Sequence, residues 1–301
     1  MYKIEDLQAQ VRQPGIYFKM SNEDYHNDKS LSNSGMGKLL NNPQKFYDAS
    51  PLNPGREAPD TKTLKRGRQF HTLFLEPEIF FDEWGIKSNP AGKKPLQTTT
   101  EEGMIGEGDY KDMKCAIDKF KRDEKLNYLF DNGFSEVSIF WVDEKTGVPC
   151  RARIDKLGLI FTLDAKTTRD CSPNSLKFSI PDYGYHRQNA MYLVAIEKLK
   201  QLIRDGKAII DNCPDNEWMA IFLTTVHDKF VFSFHELTRP YIYRADQLCQ
   251  ATIDAGMAEY RAACHEFKRY YEEFGEAEWP HGYEGQVGLI QRDDLRFKND
   301  Y

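Results

Sequence analysis

Arg151-Ala-Arg-Ile-Asp155, followed nine positions on by Asp164-Ala-Lys166, decides how this chain reads. Both segments are rich in β-formers, and side chains along a strand alternate between its faces. Arg151, Arg153 and Asp155 therefore share one face of a first strand. Thr162, Asp164, Lys166 and Thr168 share one face of a second. The opposite faces carry Cys150, Ala152 and Ile154, then Phe161, Leu163 and Ala165, which suit a buried core. Two carboxylates and an ammonium are expected to converge on one polar patch. That is the inventory for binding a divalent cation and orienting a water against a phosphodiester.

The flanks support two consecutive strands. Phe134–Asp143, the turn Glu144-Lys-Thr-Gly147 and Val148–Lys156 read as a hairpin leading into Phe161–Thr168. Downstream, Tyr185–Ile203 is amphipathic, with Tyr192, Ala195, Ile196, Leu199, Leu202 and Ile203 in one stripe. Gln188 and Tyr192 lie one turn apart on that helix. Upstream, Leu64–Glu76 reads as a helix stopped at Pro77. It places Gly67, His71 and Leu75 on one face, with Gly67 permitting close approach to the sheet. Ser32 or Ser34 could cap a short helix over Gly35–Leu40.

This ordered set resembles the PD-(D/E)XK nuclease superfamily, with Asp155, Asp164-Ala-Lys166 and the helix motif Gln188-x-x-x-Tyr192. More narrowly it is similar to RecE-type exonucleases (exodeoxyribonuclease VIII-like), the phage recombination nucleases. Further support comes from Tyr25-His26, Leu31-Ser-Asn-Ser34, Gly67-Arg-Gln-Phe-His71, Glu136-Val-Ser138 and Tyr183-Gly-Tyr185. Ile154 stands where the superfamily name has proline, a position that shapes backbone and ligates nothing.

The resemblance implies a restriction-endonuclease-like α/β fold. The expected core is a mixed sheet of about five strands flanked by helices, with an additional long C-terminal helix. One nuclease domain is expected over 1–301: an N-terminal segment (1–60), a catalytic core (61–238) and a C-terminal helix and tail (239–301). Implied metal ligands are His71, Asp155, Asp164 and the Ala165 carbonyl, for Mg²⁺ with Mn²⁺ able to substitute. Asp155, Asp164, Lys166 and Glu136 are the implied catalytic set, Lys166 orienting or deprotonating the attacking water and Glu136 serving a second metal or a water. Gln188, Tyr192, Arg151, Arg153 and Ser34 are the implied substrate contacts. The implied activity is 5′→3′ exonuclease action on double-stranded DNA ends, producing 3′ single strands for a single-strand annealing protein, by a homo-oligomeric ring. Another RecB-like nuclease, endonucleolytic or of other polarity, and a non-catalytic DNA-binding adaptor are the alternatives.

Composition agrees with a soluble globular protein: 301 residues, 40% hydrophobic and 29% charged. No apolar run approaches a membrane span, and Met1-Tyr-Lys-Ile-Glu lacks a signal-peptide core, so no membrane role is expected. Six cysteines without a Cys-x-x-Cys pair argue for a reducing cytoplasm and against zinc or iron–sulfur sites, and the resemblance implies that this is the cytoplasm of a bacterial or phage-infected host. The net charge of −6 is unusual for a DNA enzyme, but binding uses the local field of a groove. Local basic runs exist at Lys62-Thr-Leu-Lys-Arg-Gly-Arg68. Elsewhere, 87–108 reads as a mobile loop and Asp109–Phe130 as helical. Trp218–Val226 and Phe230–Glu236 read as an antiparallel hairpin, Arg239–Phe274 as one or two helices, and the last twenty-odd residues as irregular.

Overall fold

The computed structural model describes residues 2–57, 61–87, 103–239, 241–245 and 248–281. Nine strands occur among them: β1 (Gly15–Tyr17), β2 (Gly85–Lys87), β3 (Met104–Gly106), β4 (Gly133–Val142), β5 (Pro149–Gly158), β6 (Phe161–Thr168), β7 (Ile209–Asp211), β8 (Lys229–Glu236) and β9 (Tyr241–Ala245). Seven form one mixed sheet in the order β7-β1-β4-β5-β6-β8-β9, and β2 and β3 pair separately. The sheet is thus wider than the five strands expected. The predicted loop 87–108 is not irregular throughout, since β3 and the start of helix Glu107–Arg122 fall inside it; its residues 88–102 lie outside the described residues, as does the tail beyond 281.

The predicted β4–β5 hairpin forms and continues antiparallel into β6. The second predicted hairpin does not. Trp218–Val226 is largely helical, within Asn216–Thr224. Asp215 caps that helix by accepting from the N–H groups of Glu217 and Trp218, and Met219 and Phe222 bury one side of it. An apolar run rich in β-formers has here yielded to a cap and a helical burial period. With no hairpin partner before it, β8 instead runs parallel to β6 over eight residue pairs. Such pairing needs a crossover, and helices Pro173–Asp182, Tyr185–Arg204 and Asn216–Thr224 provide it.

Two further boundaries move. Asp123 accepts from Lys125 and Leu126 and divides the predicted helix into Glu107–Arg122 and Glu124–Asp131. Tyr241–Ala245, expected to be helical, pairs antiparallel with β8, and the long helix begins only at Gln250 and runs to Phe274.

Apolar residues fill both faces of the sheet. Phe230, Phe232 and Phe234 of β8 join helices Tyr185–Arg204 and Gln250–Phe274 in one core. Val231 joins Phe161, Leu163 and Ala165 of β6 with Phe70, Leu73 and Phe74 of helix Lys62–Leu75 in the other. The two helices of the first core cross at Gly256, where an added Cβ would lie 2.2 Å from the His186 carbonyl oxygen. Any larger residue would push them apart.

Candidate active site

Two local distortions build the site. The β5–β6 pairing is confined to Lys156↔Leu163 and Leu157↔Thr162, so the strands part just at Asp155 and Asp164. The Ala165 N–H in the gap is satisfied by Asp155 Oδ2 at 2.8 Å. On β4, Glu136 has φ of +52°, a region that costs a non-glycine residue about 1–3 kcal/mol. Ser135 pairs with Lys156 and Val137 with Ile154, which sets Glu136 opposite Asp155 where the ladder lapses.

These distortions revise the expected convergence by simple alternation. Cys150, Ala152 and Ile154 belong to one core, whereas Phe161, Leu163 and Ala165 belong to the other. The polar faces of β5 and β6 therefore look to opposite sides of the sheet. Asp155 and Asp164 meet because the strands separate, and the site draws on helices from both layers.

From one layer comes His71, on helix Lys62–Leu75. Its Nδ1 lies 3.7 Å from Asp155 Oδ2. His71, Glu136 and Asp155 each present one ligand atom, all within 4.8 Å of one another. Burial and the Lys166 charge push the imidazole down to about 4, partly opposed by Asp164 and a backbone hydrogen bond with Ala165. It is therefore neutral at physiological pH, the form that ligates metals. A Cβ on Gly67 would sit 3.9 Å from Thr167 Oγ1, an ordinary contact, so the helix's approach does not depend on glycine.

From the other layer come Gln188 and Tyr192. Asp164 has no exposed surface. Its Oδ2 lies 2.7 Å from Lys166 Nζ, and its Oδ1 accepts from Gln188 Nε2 at 2.7 Å. Gln188 also donates to the Tyr192 hydroxyl at 2.7 Å, which in turn donates to the Arg153 carbonyl at 2.5 Å. Both side chains are buried, and their contacts fix Asp164 and the middle of β5.

Burial, adjusted by neighbouring charge, shifts every titratable group of the cluster. Burial raises Asp164 to about 6, although Lys166 opposes it and Asp155 adds to it. Burial and Asp155 raise Glu136 to about 8, against Arg153. Burial also raises Asp155. Burial would lower Lys166, but Asp164 and Asp155 outweigh it and hold the ammonium above its ordinary range. Crowding raises the proton affinity of these carboxyl groups, and their deprotonated forms, beside a neutral imidazole and a backbone carbonyl, are a donor set suited to a divalent cation.

Arg151 is buried and Arg153 half-buried against the N-terminal segment. Arg151 donates to the Asp28 carbonyl and stands over the Tyr25 ring at 5.1 Å. Arg153 donates to Ser138 Oγ at 2.9 Å and the Met20 carbonyl at 2.8 Å, and lies 3.7 Å from Glu136. Ser32, not Ser34, caps helix Asn33–Asn41, and the Ser34 hydroxyl lies 3.2 Å from that of Ser32. One neighbour had no assigned role: the Tyr185 ring sits 5.1 Å from Lys166 Nζ. Its position three residues before Gln188, on the same helix face, was the available signal.

A split strand pair carrying Asp155, Asp164 and Lys166, with helices on both sides of a mixed sheet, defines a PD-(D/E)XK nuclease fold. Residues 33–208 match the family described as a PDDEXK-like domain of unknown function (DUF3799), and the chain belongs to that family. The solved structure of a "putative exonuclease" from Eubacterium rectale is similar, with a TM-score of 0.53 at 14% identity, covering 91% of this chain and 96% of that one. No curated protein matches the sequence.

Proposed function

We propose that this chain is a metal-dependent exodeoxyribonuclease that digests double-stranded DNA from its ends, 5′→3′, leaving 3′ single-stranded tails. The observation that carries the reading is the His71–Glu136–Asp155 cluster lying beside the Asp164–Lys166 pair. His71, Glu136, Asp155 and the Ala165 carbonyl would hold a divalent cation, Mg²⁺ or Mn²⁺, with Asp164 alongside. Such a cation supplies Lewis acidity at the phosphoryl oxygen and acidifies a water.

The chain's own groups do the remaining work. Lys166 is an ammonium in the ion pair, so it orients the attacking water and offsets charge developing on the phosphate. Gln188 fixes the Asp164 carboxylate, and Tyr192 ties that arrangement to β5. Exonucleolytic action and polarity rest on the resemblance to RecE-type enzymes, as do a homo-oligomeric ring and a single-strand annealing partner. No described helix is long and apolar enough to cross a membrane, and cysteine usage favours a cytoplasmic setting.

The test is timed digestion of linear duplex labelled separately at its 5′ and 3′ ends, beside closed circular duplex, with Mg²⁺ or with chelator. Early loss of the 5′ label from linear DNA alone, only with metal, is expected. Cleavage of the circle would make the enzyme an endonuclease. Binding without cleavage under every metal condition would point to an adaptor.

A further inference from the structure

Tyr183 is 67% exposed, yet it sits in a well-fixed turn close to the site. It ends helix Pro173–Asp182, where its N–H donates to the Ser179 carbonyl at 3.1 Å. Gly184 follows with φ of +65°, and helix Tyr185–Arg204 begins at once. The Tyr183 ring stacks on Tyr185, with centroids 5.7 Å apart and planes at 26°. Tyr185 in turn leans on Phe232 and Phe234 of β8 and faces the Lys166 ammonium at 5.1 Å. A series of rings therefore runs from the core of the sheet, past Lys166, to a largely exposed ring.

We propose that Tyr183 is a nucleobase-stacking residue that receives a base of the strand whose phosphate is presented to Lys166. The inference rests on the nuclease reading and deepens it. A ring held by a fixed turn loses little freedom when a base lands on it. Every base has a π-face, so stacking is sequence-tolerant, which suits an enzyme that must accept any sequence. Tyr185 lies between that base and the ammonium, so stacking on Tyr183 would hold the strand near the cleavage centre as binding energy shared by ground and transition states.

The probe is a set of duplex oligonucleotides, each carrying one 2-aminopurine at a different position near the end, mixed with the full chain in chelator. Wild type should change the fluorescence at one or two positions only. Tyr183→Phe should preserve that change and Tyr183→Ala should lose it. In cleavage assays with Mg²⁺, Tyr183→Ala should raise KM roughly 5- to 100-fold, the size of one lost base–aromatic stack, with kcat within about twofold. An abasic site at the responsive position should abolish the difference between wild type and Tyr183→Ala.

An unchanged fluorescence response and KM in Tyr183→Ala, beside an active wild type, would overturn this inference and leave the nuclease reading standing. A KM penalty that persists undiminished on abasic substrate would also overturn it, assigning Tyr183 to folding or to a protein contact. A wild type that neither binds nor cleaves DNA would remove both.

Discussion

Asp164 and Lys166 form a pair that cannot be dismantled one side at a time without electrostatic consequence. Asp164 is wholly buried, and an uncompensated buried charge is costly. Asp164→Asn keeps the shape and the contact with Gln188, so it should fold and lose at least about a hundredfold in kcat, the scale of removing one preorganised electrostatic group. Near-normal turnover in that variant, with circular dichroism unchanged, would sink the assignment. His71 invites a different measurement. His71→Ala should raise the metal concentration needed for half-maximal cleavage, and Mn²⁺ should restore activity better than Mg²⁺ because imidazole suits the softer ion. An unshifted metal titration would remove His71 from the ligand set. Gln188→Ala should lower kcat while metal affinity stays close to wild type, since Gln188 touches Asp164 and none of the clustered ligand atoms.

At the scale of the element, β4 carries its distortion at one residue. Glu136 holds φ of +52° and a carboxyl raised to about 8, both unfavourable to the folded state near neutral pH in the absence of a cation. Glycine adopts that backbone conformation without a steric penalty. Glu136→Gly should therefore stabilise the ion-free protein by about 1 kcal/mol, seen as a higher urea midpoint, while weakening metal binding and cleavage. A variant less stable than wild type would show that the Glu136 side chain contributes packing that outweighs the strain. The same trade of stability for function is common where strain sits at a site.

For the whole molecule, buried titratable groups set the pH dependence of stability. His26, His71 and His227 are pushed down to about 4 and His235 to about 3, in each case chiefly by burial. Their folded values lie below the unfolded value near 6.5, so the unfolded chain binds more protons in that window. Their contribution is complete above about 6.5 and is lost as pH falls toward 3. Glu136 acts oppositely: its folded value is raised, so stability declines as pH rises from the ordinary carboxylate range toward 8. Urea denaturation in chelator should give maximal stability near pH 6.5 and a shallow decline to pH 8. A divalent cation should abolish or reverse that decline, because it binds the deprotonated cluster. A metal effect equal at pH 6 and pH 8 would contradict a site whose ligands must shed protons.

The strand pair, the amphipathic helix with Gln188 and Tyr192, and the helix carrying His71 were all legible in the residue order. Their periodicities are local, and a strand or helix face is set by neighbours two to four residues apart. The same local logic misread Trp218–Val226, because its β-formers competed with an Asp215 cap whose worth depends on burying Met219 and Phe222. Tyr241–Ala245 became a strand because β8 offered it an edge, a partner no local pattern announces. Nor could alternation alone show that the polar faces of β5 and β6 point to opposite layers. Residue order by itself determined which candidate groups the strands and helices carry. Tertiary structure decided how they meet: through the parting of two strands and a left-handed residue across from Asp155, because hydrogen bonding and packing between distant segments, rather than propensity, decide where a ladder breaks.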